Sequence, residues 1–146
     1  MASPDTGGTR RAAAYAKALD TDFVICYKTR AKPNEIAKMS LIGEVKGKDI
    51  VIVDDIIDTA GTITKAATLM IENGANSVRA FCTHPVFSGQ AYDRLTNSPF
   101  NEIVVTDTIP LKKTHEKFTV LSTADLFAEV IKRLENKESI SSLFKF

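Results

Sequence analysis

Two adjacent carboxylates, Asp54 and Asp55, follow directly after an uninterrupted apolar run at residues 50–53. Such a run is typical of a parallel strand that is covered on both faces. In an open α/β sheet, ligands bind beyond the carboxyl ends of the strands, which is where we expect these two acids. Paired carboxylates there can accept hydrogen bonds from vicinal hydroxyls, or hold them through Mg²⁺. The pair therefore predicts a site for a diol.

A loop of small residues comes next, formed by Asp58, Thr59, Ala60, Gly61 and Thr62, and leads into a segment of helical periodicity. A helix N-terminus offers unpaired N–H groups and the positive end of the helix dipole, and both favour a phosphate. Gly61 lets the backbone approach a ligand, and a β-branched residue there is expected to resist the backbone angles of the loop. The threonine hydroxyls can donate to phosphate oxygens. The whole stretch predicts a ligand with a diol at one end and a phosphate at the other.

Each candidate also has a structural interpretation. Asp54 and Asp55 could cap the following helix, although two like charges side by side suit that role poorly. Asp5 is a candidate metal ligand, but its Ser-Pro-Asp-Thr-Gly-Gly setting is equally typical of a turn before a helix. Lys28 and Arg30 belong to a cationic run without apolar periodicity, which suits either an anion site or a solvated loop. These alternatives stay open from the residues alone.

Two other phosphate signatures are excluded. Residues 43–49 look like a Walker loop, but the two glycines are one residue too close and Asp49 replaces the Ser or Thr that would hold magnesium. The segment is predicted to connect two strands. The chain contains no Gly-x-Gly-x-x-Gly, so a dinucleotide-binding fold has no support.

Apolar runs alternate with segments of helical periodicity, which predicts an α/β fold. Strands are predicted at residues 23–27, 40–45, 50–53, 77–82, 103–106 and 119–121. Helices are predicted after the loop at residues 3–9, through residues 66–72, near residues 90–95 and at residues 123–136. The last is expected to begin at Ser122 or Thr123 as N-cap and to turn inward Leu126, Phe127, Val130, Ile131 and Leu134. The expected architecture is a three-layer, open, mostly parallel sheet flanked by helices, in a single domain of residues 1–146 with a tail at residues 137–146.

Composition narrows the class of protein. The 146 residues carry 19 Lys and Arg against 18 Asp and Glu, and a formal charge of +1 argues against a broad nucleic-acid surface. Cys26 and Cys82 lie in apolar runs, which favours reduced, buried thiols over a disulfide. No apolar window suits a membrane span and no signal peptide is recognisable. We expect a cytoplasmic protein without membrane or nucleic-acid partners.

The acid pair and its loop resemble the phosphoribosyl pyrophosphate motif of type I phosphoribosyltransferases. The sequence Asp-Asp-Ile-Ile-Asp-Thr-Ala-Gly-Thr at residues 54–62 is more specific than that general motif. Together with the opening at residues 3–8, the Lys-Thr-Arg at residues 28–30 and the close at residues 138–144, it resembles the ribose-phosphate pyrophosphokinase family. The similarity covers nearly the whole chain, but it is expected to match only the C-terminal half of the family.

The resemblance implies a phosphoribosyltransferase-like fold and transfer of diphosphate from Mg-ATP to ribose 5-phosphate, which gives phosphoribosyl pyrophosphate and AMP. It implies that Asp54 and Asp55 hold the ribose hydroxyls and that residues 58–62 hold the 5-phosphate. By the same resemblance, Asp5 is a Mg²⁺ ligand that follows a strand the chain is expected to lack.

The resemblance further implies that Lys28 and Arg30 are catalytic, since moving a diphosphoryl group concentrates negative charge that a pair of cations can offset. Ser139, Ser141 and Phe144 resemble tail contacts to a regulatory nucleotide at a subunit interface, which implies a homo-oligomeric parent enzyme.

ATP is expected to bind mostly through the missing N-terminal half, so the chain alone is expected to be inactive. Two alternatives stay open. One is a small phosphoribosyltransferase, although no base-binding hood is recognisable. The other is a non-catalytic regulatory relative, against which the retention of Lys28, Arg30 and Asp54 argues.

Overall fold

The computed structural model describes residues 1–29 and 38–144. Its strands are β1 (Ala2–Ser3), β2 (Val24–Thr29), β3 (Lys38–Ile42), β4 (Asp49–Ile57), β5 (Ser77–Pro85), β6 (Glu102–Thr106) and β7 (Phe118–Leu121). Its helices are α1 (Thr9–Ala18), α2 (Gly61–Glu72), α3 (Ala91–Thr96) and α4 (Ala124–Glu135), followed by a 3₁₀ turn at Ser141–Leu143. The strands form one sheet in the order β3-β2-β1-β4-β5-β6-β7, and only β2 and β3 pair antiparallel. The prediction of an open, mostly parallel α/β sheet is confirmed.

The winding of the sheet reverses at its centre. β1 and β4 lie side by side, with Ala2 paired to Ile52. The chain leaves β1 toward β2 and leaves β4 toward β5, and right-handed crossovers in these opposite directions put α1 and α2 on opposite faces. The loops after β1 and β4 therefore open into one crevice at the carboxyl edge of the sheet, which is where such sheets bind ligands.

Burial explains why β4 is central. Ile50, Ile52 and Val53 are all buried, as the apolar run predicted. α2 covers one face of the sheet with four buried side chains, namely Ile63, Ala66, Ala67 and Met70. Because these contacts anchor the first turns of α2, they also fix the loop that joins β4 to the helix.

The strand expected to be missing before Asp5 is present in short form as β1. Its two residues, Ala2 and Ser3, are fully buried, and they pair in parallel with Val24 and Ile25 of β2. The prediction was wrong because two residues in the middle of a sheet carry too little pattern to be recognised as a strand.

Two strands extend further than their apolar runs. β4 continues through Asp54 and Asp55 because pairing with β5 persists, with Asp54 opposite Cys82. Lys28, expected just past a strand, lies within β2 and pairs with Met39 of β3. Backbone pairing with neighbours, which no single segment reveals, thus places these polar residues on strands.

The amphipathic helix α4 forms as predicted, but its apolar stripe does not point into a core. None of its residues is buried, and Leu126, Phe127, Ile131 and Leu134 are each more than half exposed. Val130 is half-buried. The expectation of an inward stripe was wrong because periodicity shows which face of a helix is apolar, not what packs against it.

The predicted N-cap of α4 is only partly correct. Thr123 occupies the position, but its hydroxyl donates to Asp107 Oδ1 at 2.7 Å instead of accepting from the helix. Hydrogen bonds from Ser122 and Thr123 lower the pKa of Asp107 to about 2. The start of α4 is therefore fastened to the loop after β6.

Both cysteines are free and buried. Burial raises the pKa of Cys26 to about 11 and that of Cys82 to about 12, so both remain protonated thiols at neutral pH. This confirms their expected role as small apolar side chains. Among the described residues, no helix is both long enough and apolar enough to span a membrane.

Candidate functional site

A cavity of about 200 Å³ lies at the point where the sheet reverses its winding. The predicted residues Asp54, Asp58, Thr59, Ala60, Gly61 and Thr62 line it, together with Asp5, Ile56, Ile57 and Ile63. Asp5 comes from the loop after β1, and the others come from the end of β4, the loop after it and the first turn of α2. One cavity thus brings together the candidate metal ligand, an acid of the pair and the loop at residues 58–62, which we call the phosphate loop.

The acid pair is held by Arg11 of α1, a residue that the sequence analysis did not select. Its Nη1 lies 3.0 Å from Asp54 Oδ1 and its Nη2 lies 2.8 Å from Asp55 Oδ2. The Arg11 and Asp54 side chains are 33% and 22% exposed, so solvent screens this contact less than an ordinary surface pair. The sequence gives only a weak indication of this role for Arg11, because a basic residue in the first turn of an amphipathic helix is ordinarily a solvated side chain.

The two acids differ in their ionisation. Burial, helped by hydrogen bonding with Asp55 and by its charge, raises the pKa of Asp54 to about 6 despite the opposing Arg11 guanidinium. Asp55 is more exposed; burial opposes its ionisation, but the hydrogen bond with Asp54 and the Arg11 charge outweigh it and lower its pKa. At neutral pH both are carboxylates, and Asp54 is the one whose charge the fold tolerates poorly.

This difference predicts opposite stability effects for two matched variants. Because the pKa of Asp54 rises from 3.8 to about 6 on folding, its ionisation lowers the free energy of unfolding as pH rises through 6. We expect Asp54→Asn to be more stable than the unmodified chain at pH 7.5 by up to about 3 kcal/mol, and the gap to close below pH 4. Asp55→Asn should instead be destabilised at pH 7.5. A carboxyl group whose pKa is lowered on folding stabilises the fold at any pH above its pKa in the unfolded chain. Urea unfolding at the two pH values checks both signs, and a destabilised Asp54→Asn at pH 7.5 would contradict the assignment.

The phosphate loop has its unusual backbone angle at Ala60 and not at Gly61. Ala60 has φ 61° and ψ 5°, in the left-handed region, and its carbonyl accepts a hydrogen bond from the Thr64 amide at 3.2 Å. Gly61 lies outside that region and begins α2. The expectation that Gly61 is needed for the backbone angles of the loop was therefore wrong. Its missing side chain provides space for a ligand instead. The N–H groups of the first turn of α2 have no partners within the helix.

Asp5, the predicted metal ligand, lines the same cavity as Asp54 and Asp58. Its Oδ1 accepts a hydrogen bond from the Gly8 amide at 3.1 Å, which orients the carboxylate, and the residue is exposed in the cavity shared with Asp54 and Asp58. In the described part of the chain, no three His, Cys, Asp or Glu side chains form a complete metal site. Mg²⁺ commonly binds through one or two carboxylates together with substrate oxygens, so these donors fit that ion.

A second cavity, of about 430 Å³, lies against the same loop and is lined by cations. Lys28 lines it with Lys65 and Arg94, and it shares Thr59, Gly61 and Thr62 with the first cavity. Lys28 therefore lies beside the phosphate loop, and its predicted catalytic role stays a prediction. Arg30, its predicted partner, lies outside the described residues.

The tail residues lie apart from both cavities. Ser139 and Ser141 are linked by a hydrogen bond from the Ser141 amide to Ser139 Oγ at 3.2 Å, and Phe144 is 71% exposed. Arg133 of α4 donates to the Ser139 carbonyl at 3.2 Å, which folds the tail back on the helix. The predicted contact of these residues with a regulatory nucleotide stays a prediction.

The reversal point, with acids on one side and a helix-start loop on the other, defines a phosphoribosyltransferase-like α/β domain. The chain belongs to the family described as the phosphoribosyl synthetase-associated domain, whose model matches residues 5–145.

Among curated proteins, the ribose-phosphate pyrophosphokinase of Porphyromonas gingivalis is 55% identical over 146 residues, which is 100% of this chain and 47% of that protein. Among solved structures, phosphoribosylpyrophosphate synthetase from Mycobacterium smegmatis has a TM-score of 0.86 and 36% identity, covering 93% of this chain and 44% of that one. The chain thus spans about half the length of the relatives it matches. These shares give the extent of the match, so they do not support the prediction that it corresponds to the C-terminal half.

The purine phosphoribosyltransferase from Pyrococcus horikoshii shares the fold alone, with a TM-score of 0.51 and 18% identity over 82% of this chain and 73% of that one. This match and the synthetase structure together confirm the predicted phosphoribosyltransferase-like fold.

Proposed function

We propose that this chain is the ribose 5-phosphate-binding part of a ribose-phosphate pyrophosphokinase. The observation that carries the proposal is the single cavity lined by Asp54 and by the phosphate loop, with Asp55 beside Asp54 on β4. A sugar phosphate is the ligand class that presents hydroxyls to the acids and a phosphate to the loop.

The two ends of the ligand are bound by different kinds of interaction. Asp54 and Asp55 accept hydrogen bonds from the ribose 2- and 3-hydroxyls, which works best when both acids are ionised. The 5-phosphate lies against the N–H groups at the start of α2, where the helix dipole favours negative charge, and the Thr59 and Thr62 hydroxyls donate to its oxygens. Arg11 contacts both carboxylates and so links them before the ligand arrives.

In the proposed reaction the ribose 1-hydroxyl oxygen attacks the β-phosphorus of ATP. The bond from that phosphorus to the bridging oxygen of the α-phosphate breaks, AMP leaves, and the hydroxyl proton passes to solvent. Lys28 stands on the cationic side of the phosphate loop and offsets the negative charge that spreads over the transferred group, together with Arg30.

Magnesium fits this proposal as the cofactor. Asp5 and Asp54 would hold Mg²⁺ together with oxygens of the substrates, and the ion would supply charge neutralisation when bound. The protein contributes the orientation of Asp5 through the Gly8 amide. ATP and further copies of the chain are proposed partners of the whole enzyme, in which Ser139, Ser141 and Phe144 would contact a regulatory nucleotide.

Calorimetric titration of the chain with ribose 5-phosphate, with and without Mg²⁺, tests the proposal. We expect saturable one-site binding that Mg²⁺ strengthens, and little heat from ribose or from inorganic phosphate at the same concentrations, since each fills only one end of the site. Equal binding of inorganic phosphate would reduce the site to a simple anion site. Absence of ribose 5-phosphate binding by a folded chain would contradict the proposed function.

A further inference from the structure

The phosphate loop is held by hydrogen bonds from one neighbouring segment, residues 87–94. Successive carbonyls before and within the loop each accept a hydrogen bond from it: Phe87 N to Ile57 O at 3.1 Å, Ser88 N to Asp58 O at 3.0 Å, and Arg94 Nη1 to Thr59 O at 2.8 Å. The Ser88 hydroxyl also donates to the Asp58 carboxylate. Only the last of the three carbonyl contacts comes from a side chain, so only it can be removed by substitution without changing the backbone.

Arg94 belongs to α3 and is oriented by its own helix. Its Nη2 donates to Gln90 Oε1 at 3.3 Å, while Nη1 makes the contact with the Thr59 carbonyl. A β-carbon built on Gly61 would lie 3.7 Å from the same Nη1. The guanidinium thus touches the part of the loop where it turns into α2.

The carbonyl that Arg94 holds controls the direction of an amide. A peptide unit is planar, so fixing the Thr59 carbonyl oxygen also fixes the Ala60 N–H, which points the opposite way. The backbone torsion that follows this peptide unit is φ of Ala60, which lies in the left-handed region at 61°. A non-glycine residue keeps such an angle only where its surroundings hold it.

We propose that Arg94 is a positioning residue for phosphate binding: it holds the Thr59–Ala60 peptide in the orientation that aims the Ala60 N–H at the 5-phosphate. This inference rests on the proposed function for the identity of the ligand. Arg94 acts through the loop, because its Nη1 donates to the Thr59 carbonyl and its Nη2 to Gln90. A guanidinium on the carbonyl also polarises the peptide, which strengthens its N–H as a donor.

The test compares Arg94→Met with Arg94→Lys and with a matched control, Arg79→Met. Arg79 is an exposed arginine near the start of β5, at the opposite edge of the sheet, and lies 3.8 Å from Glu102. Calorimetry gives the affinity for ribose 5-phosphate, and amide hydrogen exchange by NMR reports on the ligand-free loop.

We expect Arg94→Met to weaken binding about tenfold to a hundredfold and to speed exchange of the Ala60 amide, while Arg79→Met changes neither by more than about twofold. Arg94→Lys should recover part of both, and it carries the test should Arg94→Met not fold. Unchanged affinity would overturn the proposal, and so would weaker binding with an unchanged Ala60 amide, since Arg94 would then touch the ligand directly. If the unmodified chain binds no ribose 5-phosphate, the proposed function fails, while the amide measurement still decides whether Arg94 orders the loop.

Discussion

Gly61→Val is expected to fold normally and to bind ribose 5-phosphate at least about a hundredfold more weakly than the unmodified chain. A β-carbon at this position meets its nearest atoms, Arg94 Nη1 and Thr59 Oγ1, at 3.7 and 3.9 Å, which are ordinary contacts. The residue also lies outside the left-handed region, so Val is not strained there. The added methyl groups instead occupy the space where N–H groups at the start of α2 must meet a phosphate.

Calorimetry measures the affinity, and thermal unfolding verifies that the variant is folded. Gly61→Ala is the graded control, because its single methyl group should give a smaller loss than Val. An unchanged dissociation constant in folded Gly61→Val would show that the phosphate does not bind at this loop. The basis for the proposed ligand would then be lost.

The chain alone is expected to form no AMP from ATP, Mg²⁺ and ribose 5-phosphate above the uncatalysed background. Positioning two reactants can account for about 7–11 kcal/mol of a barrier, and that advantage requires ATP to be held in line with the ribose hydroxyl. Among the described residues that line the two cavities, no aromatic side chain offers a surface for adenine.

Chromatographic detection of AMP over time checks this expectation, with ribose 5-phosphate omitted in one control and Lys28→Ala in another. The first control measures simple ATP hydrolysis, and the second shows whether any turnover depends on the candidate catalytic residue. Steady AMP formation that depends on ribose 5-phosphate and is lost in Lys28→Ala would mean that this chain is a self-sufficient enzyme.

The central unit of strand β4, phosphate loop and helix α2 could be predicted from the sequence. Its apolar run, small-residue loop and helical stripe are all local patterns, and each reports its own structure. The placement of Asp5 beside Asp54 could not be predicted from composition or periodicity, because it depends on β1 and β4 being neighbours in the sheet.

Arg11 and Arg94 show why the supporting residues were missed. Each contacts its partner across a long stretch of chain, 43 residues for Arg11 and Asp54 and 35 for Arg94 and Thr59. Nothing local distinguishes either arginine from a solvated side chain on an amphipathic helix. For α4 the failure is of the opposite kind: the pattern was correct, but the described residues provide no surface for it to cover.

The two cavities beside the phosphate loop give the site an electrical polarity that acts before any contact is made. Asp5, Asp54 and Asp58 border one cavity, and Lys28, Lys65 and Arg94 border the other. For a sugar phosphate, the proposed ligand, this polarity favours an approach with the phosphate toward the cations and the hydroxyls toward the acids. Since the Debye length at physiological salt is about 8 Å, this steering operates over the last few ångströms and weakens as salt is added. The rate of association, more than the rate of dissociation, should record it.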